Sequence, residues 1–108
     1  MKVSAVICAY NEEKTVSGVI NAAMKSELIN EIIVINDGST DNTGREIKQY
    51  KYGLGLRFID FPRNMGKGYA MATGVEYATG EVILFLDADI NGLSNRHISS
   101  MVLPVISG

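Results

Sequence analysis

Cysteine is nearly absent, with Cys8 the only one in 108 residues. Without a second thiol no intrachain disulfide can form, and a reducing, cytoplasmic compartment is the expected setting. Cys8 lies inside an apolar run, where a small buried hydrophobe is expected rather than a reactive thiol. No apolar stretch approaches the roughly 18 residues of a membrane span, and Met1-Lys2-Val3 leads into a strand-length run rather than a signal peptide. Basic charge is also thin. Ten Lys and Arg are scattered against twelve Asp and Glu, for a net charge of -2, which argues against a nucleic-acid partner. Repeats, low-complexity tracts and linkers are missing too. What remains is one soluble domain, expected by size to bury about 60 to 70% of its unfolded surface.

The patterning that is present alternates. Lys2 to Cys8, Glu31 to Asn36, Leu56 to Phe61 and Glu81 to Leu86 are apolar runs of strand length, rich in Val, Ile and Leu. Between them, Val16, Val19, Ile20, Ala23 and Met24 recur at helical spacing, with the acidic Glu12 and Glu13 suited to the positive end of that helix. A second helix places Ile47 and Tyr50 inward and fades at Tyr52-Gly53; a third faces Ala70, Met71, Gly74, Val75 and Ala78 inward. A last helix is expected with Ser94 as N-cap and Ile98, Met101, Val102 and Val105 inward, bent or ended by Pro104. The order βαβαβαβα with short loops predicts an α/β fold: a parallel-stranded, Rossmann-like sheet flanked by helices on both faces. The fourth run, unbroken from Val82 to Leu86, reads as a strand covered on both faces.

Ligands of open α/β sheets bind outside the carboxyl ends of the strands. The polar loops after strands one, two and four therefore share one edge, and this convergence is the main sequence evidence for a site. Asn11 and Glu12 in the first loop can accept from ribose hydroxyls. Asp37 in the second can accept from a base N–H. Lys67, between two glycines, suits a phosphate. Asp87 and Asp89, one residue apart, aim at one centre if the chain is extended, and an oxygen-liganded Mg2+ or Mn2+ would relieve their repulsion. Asn91 could then add a third oxygen. Each feature has a plainer reading as a cap, a turn residue or a solvated charge. Two other motifs compete for Asp87 to Gly92. An EF-hand loop requires a Glu where Ile98 stands, and a haloacid-dehalogenase-type phosphotransferase carries its D-x-D on the first strand rather than the fourth.

Four segments, Val3 to Glu13, Ile33 to Thr43, Asn64 to Ala70 and Leu86 to Asp89, resemble in order the motifs of family 2 glycosyltransferases of the GT-A fold, dolichyl-phosphate mannose synthase-like enzymes among them. The resemblance implies binding of a UDP- or GDP-linked nucleotide-diphospho-sugar with Mg2+ or Mn2+. Carried over, it has Ala9, Tyr10 and Glu12 lining the nucleoside beside Asn11, Asp37 contacting the base and Lys67 near the nucleotide. Asp87 and Ala88 lie with the nucleotide, Asp87 and Asp89 form the D-x-D with Asp89 the direct metal ligand, and Asn91 completes the metal site. Two positions depart from the pattern: Cys8 replaces a proline, and Asn36 replaces the first of two aspartates. No residue fits the general base, since Asp60 ends a strand away from the donor. Residues 1–108 thus read as the donor-binding half, cut before the acceptor-binding half. A membrane-lipid acceptor in full-length relatives, a place at the membrane surface and homo-oligomerisation stay open.

Overall fold

Runs of β-branched residues without helical periodicity become strands, and the 3.6-periodic segments between them become helices. In the computed structural model, which describes residues 1–50 and 55–107, the order is β1 (Val3–Ala9), α1 (Val16–Lys25), β2 (Glu31–Asn36), α2 (Thr43–Lys48), β3 (Leu56–Asp60), α3 (Lys67–Tyr77), β4 (Val82–Asp87) and α4 (Asn95–Ile106). The expected fading of the second helix at Tyr52-Gly53 lies outside the described residues. No described helix is long and apolar enough to cross a membrane.

All strand pairs are parallel, in the order β3-β2-β1-β4. Alternate residues of β1 feed two cores. Val3, Ala5, Ile7 and Ala9 join Val16, Val19, Ile20, Ile47, Ile98 and Val102, on the face covered by α1, α2 and α4. Val6 joins Ile33, Ile35 and Ala70 on the face covered by α3. There Gly74 permits close approach: a Cβ on it would lie 2.3 Å from Val6 Cγ1.

Several expectations need correcting. β4 is not covered on both faces. It is an outer strand, α3 packs over β1 and β2 rather than over it, and Phe85 is exposed. An unbroken apolar run reports burial potential, not a strand's place in the sheet. Met24, Val75, Met101 and Val105 also lie exposed, at the margins of stripes narrower than their spacing suggested, whereas Ile98 and Val102 are buried as expected. Val16 opens α1 with no acidic residue in the first turn, so Glu12 and Glu13 precede the helix instead of charging its start. The last helix continues through Pro104 to Ile106, while Ser94 caps it as expected, accepting from the His97 N–H.

At the amino ends of the strands Glu31 is buried and fastens the α3–β4 connection. Its Oε1 accepts from Ser4 Oγ (2.7 Å) and Thr79 N–H (2.8 Å), and its Oε2 from Thr79 Oγ1 (3.0 Å). Ser4 Oγ in turn accepts from Gly80 N–H, and Lys2 Nζ reaches Thr79 Oγ1 and lies 3.9 Å from Glu31 Oε2. Burial pushes the Glu31 carboxyl pKa up, but these hydrogen bonds and Lys2 outweigh it and hold it below the ordinary 4.5. A lowered folded-state pKa stabilises fully above the unfolded value and is lost as pH falls through the folded one. Glu31→Ala should cost about 1–3 kcal/mol in urea unfolding, because it strands buried donors. Glu31→Gln should flatten the stability loss below about pH 4.5. An unchanged acid limb in Glu31→Gln would show that another carboxylate sets it.

Candidate functional site

Because every strand is parallel, four carboxyl ends open on one rim, and the register brings them level. Cys8 is paired with Asp87, Ala9 with Asn36, and Asn36 with Asp60. A cavity of about 410 Å³ opens there. The end of β1 and the loop after it line it with Cys8, Ala9, Tyr10 and Glu12, and the loop after β2 with Asp37. Asn64, Gly66 and Lys67 come from the segment entering α3, and Asp87, Ala88 and Asp89 from the end of β4. Every nucleotide-site residue expected from the sequence lies in this lining except Asn11, and both aspartates of the D-x-D are present.

Asn11, outside that lining, bonds to the second loop. It adopts φ 53°, a left-handed conformation that asparagine tolerates. Its Oδ1 accepts from the N–H groups of Thr40 (2.8 Å) and Asp41 (3.3 Å), and its own N–H donates to Ser39 Oγ (2.9 Å). The first two loops are thereby laced together. A second lacing runs from Glu12 N–H to Thr43 Oγ1 (2.8 Å), whose hydroxyl donates to Asp41 Oδ1 (2.5 Å). Burial opposes ionisation of Asp41, but the Thr43 hydroxyl and N–H bonds prevail and its pKa is lowered. Thr15 Oγ1 donates to the Ala88 carbonyl (2.8 Å), tying the first loop to the fourth.

Asp37 anchors the third loop. It is only 3% exposed; Oδ1 accepts from Met65 N–H (2.7 Å), and Oδ2 from Asn64 Nδ2 (3.2 Å), which also reaches the Asp37 carbonyl. A carboxylate has about four acceptor positions, so it retains capacity towards the cavity. Gly38 makes this contact sterically feasible, with φ +68° and a hypothetical Cβ only 2.1 Å from the Arg63 carbonyl carbon.

Lys67 Nζ lies 3.0 Å from Asp87 Oδ1 across the cavity mouth. That hydrogen bond, and the attraction of Asp87 behind it, raise the Lys67 pKa. Burial pushes the neighbouring Cys8 thiol up to about 11, but Cys8 is half-buried rather than the fully buried hydrophobe expected, and it lines the cavity. The chain does not stay extended through the D-x-D. It turns at Ala88-Asp89, with Ile90 N–H donating to the Asp87 carbonyl, and Asn91 lies exposed, outside the cavity lining. Among the described residues no group of three or more His, Cys, Asp or Glu is arranged to hold a metal. Asp60 accepts from Asn36 Nδ2 (3.0 Å); it ends β3 on the same rim rather than away from it, but is not in the cavity lining. Sequence reasoning passed over Asn64 and Gly66 as lining residues. Their position two and one residues before Gly66-Lys67 and Lys67 in the same loop was the available signal.

The family model described as "Glycosyl transferase family 2" matches residues 4–103. The chain belongs to glycosyl transferase family 2. Its curated relatives include a poly-beta-1,6-N-acetyl-D-glucosamine synthase of Staphylococcus epidermidis, 38% identical over 81% of this chain and 21% of that protein. They also include a dolichyl-phosphate beta-glucosyltransferase of Trichomonas vaginalis, 38% identical over 78% of this chain and 28% of that one. The 108 residues thus span about a fifth to over a quarter of these relatives, 21% and 28%. Among solved structures, glucosyl-3-phosphoglycerate synthase from Mycobacterium tuberculosis, in complex with Mn2+, UDP and glucosyl-3-phosphoglycerate, superposes with a TM-score of 0.82. It is 28% identical, and the match covers 99% of this chain and 40% of that one. The family 2 sheet with its flanking helices is the GT-A type expected from the motifs.

Gly38→Ala tests the loop packing. Positive φ and a backbone collision act together, so the variant should lose about 2 kcal/mol or more. That corresponds to a fall of roughly 8–16 °C in the thermal midpoint followed by circular dichroism. A midpoint within about 2 °C of wild type would mean the loops are not held this tightly.

Proposed function

We propose that this segment binds a nucleoside-diphosphate sugar, UDP- or GDP-linked, together with Mg2+ or Mn2+, as the donor site of an inverting glycosyltransferase. The observation that carries the reading is that residues of four loops, matching family 2 motifs, line one cavity. Ala9 leaves room for a base beside Tyr10, Glu12 accepts from ribose hydroxyls, and Asp37 uses its spare acceptor capacity on a base N–H. Asn11 serves from behind by fixing the loop that carries Glu12. Lys67 and the first turn of α3, which has no side-chain cap, face the diphosphate.

The donor set fits a magnesium-like ion. Such an ion is commonly held by one or two carboxylates, with substrate phosphates and water completing the shell, and here Asp87 and Asp89 line the cavity one residue apart, with no group of three or more ligating side chains arranged to hold a metal among the described residues. Asp89 and Asp87 would hold it, with Asn91 as a further oxygen if its loop closes. When bound, the cation neutralises charge on the leaving diphosphate. An acceptor hydroxyl or phosphate attacks the anomeric carbon from the opposite side, and a hydroxyl needs a carboxylate base. With Glu12, Asp37, Asp87 and Asp89 given to the donor and its cation, no carboxylate of the cavity lining is left for that task. A nucleotide-binding module without catalysis is the other reading, and membership of a transferase family weighs against it.

Calorimetric titration of UDP and GDP, each with and without Mn2+, tests the proposal. One nucleotide should bind in a Mn2+-dependent way. Asp89→Ala should weaken that binding at least about tenfold, with an unchanged circular dichroism spectrum, because the residue lies on a loop at the sheet edge. Undiminished affinity in the variant would remove the metal assignment.

A further inference from the structure

Lys67 stands at an electrostatically wrong place for its helix. It is the first residue of α3, whose first turn has no acidic residue and no side-chain cap, so its ammonium lies at the positive end of the helix dipole. Local charge of the wrong sign points to a task other than helix stability. What offsets it is Asp87, whose Oδ1 the ammonium holds at 3.0 Å. Both side chains are largely exposed, at 69% and 61%, so the pair is free to open. Gly66 and Gly68 flank the lysine and add no side chain that would fence in its stem.

We propose that Lys67 is a built-in competitor of the divalent cation: it occupies an Asp87 oxygen in the empty site and transfers to the diphosphate when nucleotide arrives. The inference rests on the cation and diphosphate reading above and adds a consequence to it. A cation alone must displace the ammonium and then lie beside it. A cation arriving with a diphosphate meets an ammonium that has found a new anionic partner. Cation and nucleotide therefore bind with positive coupling, and by linkage each strengthens the other by the same factor. The device also keeps the two carboxylates from repelling each other while the site is empty.

The test is Mn2+ binding, read from the paramagnetic resonance signal of the free ion, in wild type, Lys67→Met and Lys67→Arg, with and without UDP or GDP. Without nucleotide, Lys67→Met should bind Mn2+ about fivefold more tightly than wild type, the scale of an exposed ion pair, and Lys67→Arg should resemble wild type. The factor by which nucleotide strengthens Mn2+ binding should shrink in Lys67→Met. If Mn2+ affinity without nucleotide is equal or lower in Lys67→Met, while nucleotide still strengthens Mn2+ binding in wild type, the cation site stands and the competition is wrong. If no protein binds Mn2+ even with nucleotide present, the cation reading itself fails and takes the competition with it.

Discussion

Parallel pairing about β1 is the constraint on which the site depends. Both neighbours of β1 run in its direction, so each connection must cross a face of the sheet and each strand must deliver its following loop to the same rim. Register does the finer work. Pairing Cys8 with Asp87 places the first aspartate of the D-x-D on the face that α3 covers, within reach of the lysine that begins α3. A slip of one residue would turn Asp87 to the other face, because strand side chains alternate. Buried apolar residues of β1 face both cores, with Ser4 the buried polar exception, so the same hydrophobic contacts that stabilise the sheet also align its rim.

The loops are then ordered by polar contacts that the strands make available. Asn11 joins the first loop to the second, Asp37 joins the second to the third, and Thr15 joins the first to the fourth. The residues that make these ties lie beside the residues that line the cavity, or, like Asp37, do both. A cavity walled by four separate loops has no continuous backbone to hold its shape, and this lacing replaces it. It also limits how the site can vary. Exchanging Asp37 would release Asn64 and Met65 as well as changing the cavity wall.

Most of the fold was legible because each element carries a strong local signature. Ile32 to Ile35 could hardly be anything but a buried strand, and Val16, Val19, Ile20 and Ala23 mark one helical face. What could not be read was long-range. Nothing within Val82 to Leu86 states that its strand is at the edge of the sheet, and the exposure of Phe85 follows from where α3 docks. What residue identity did gather is a set that meets in space, since Ala9, Tyr10, Glu12, Asp37, Lys67, Asp87, Ala88 and Asp89 all line the cavity. That Asn11 fastens the second loop from outside the lining could not be read, because an asparagine that fixes a loop and one that faces a cavity look alike in sequence. The Asn64 contact was missed because it depends on Asp37, 27 residues away in the chain.

The most direct test of the convergent donor site is a crystal structure of the protein grown with Mn2+ and soaked with UDP or GDP. The account predicts an ordered nucleotide with its base by Tyr10 and Asp37, its diphosphate by Lys67, and Mn2+ at Asp89. A nucleotide ordered instead in the polar groove between Arg45, Lys48 and Asp60, or Mn2+ bound away from Asp87 and Asp89, would contradict it.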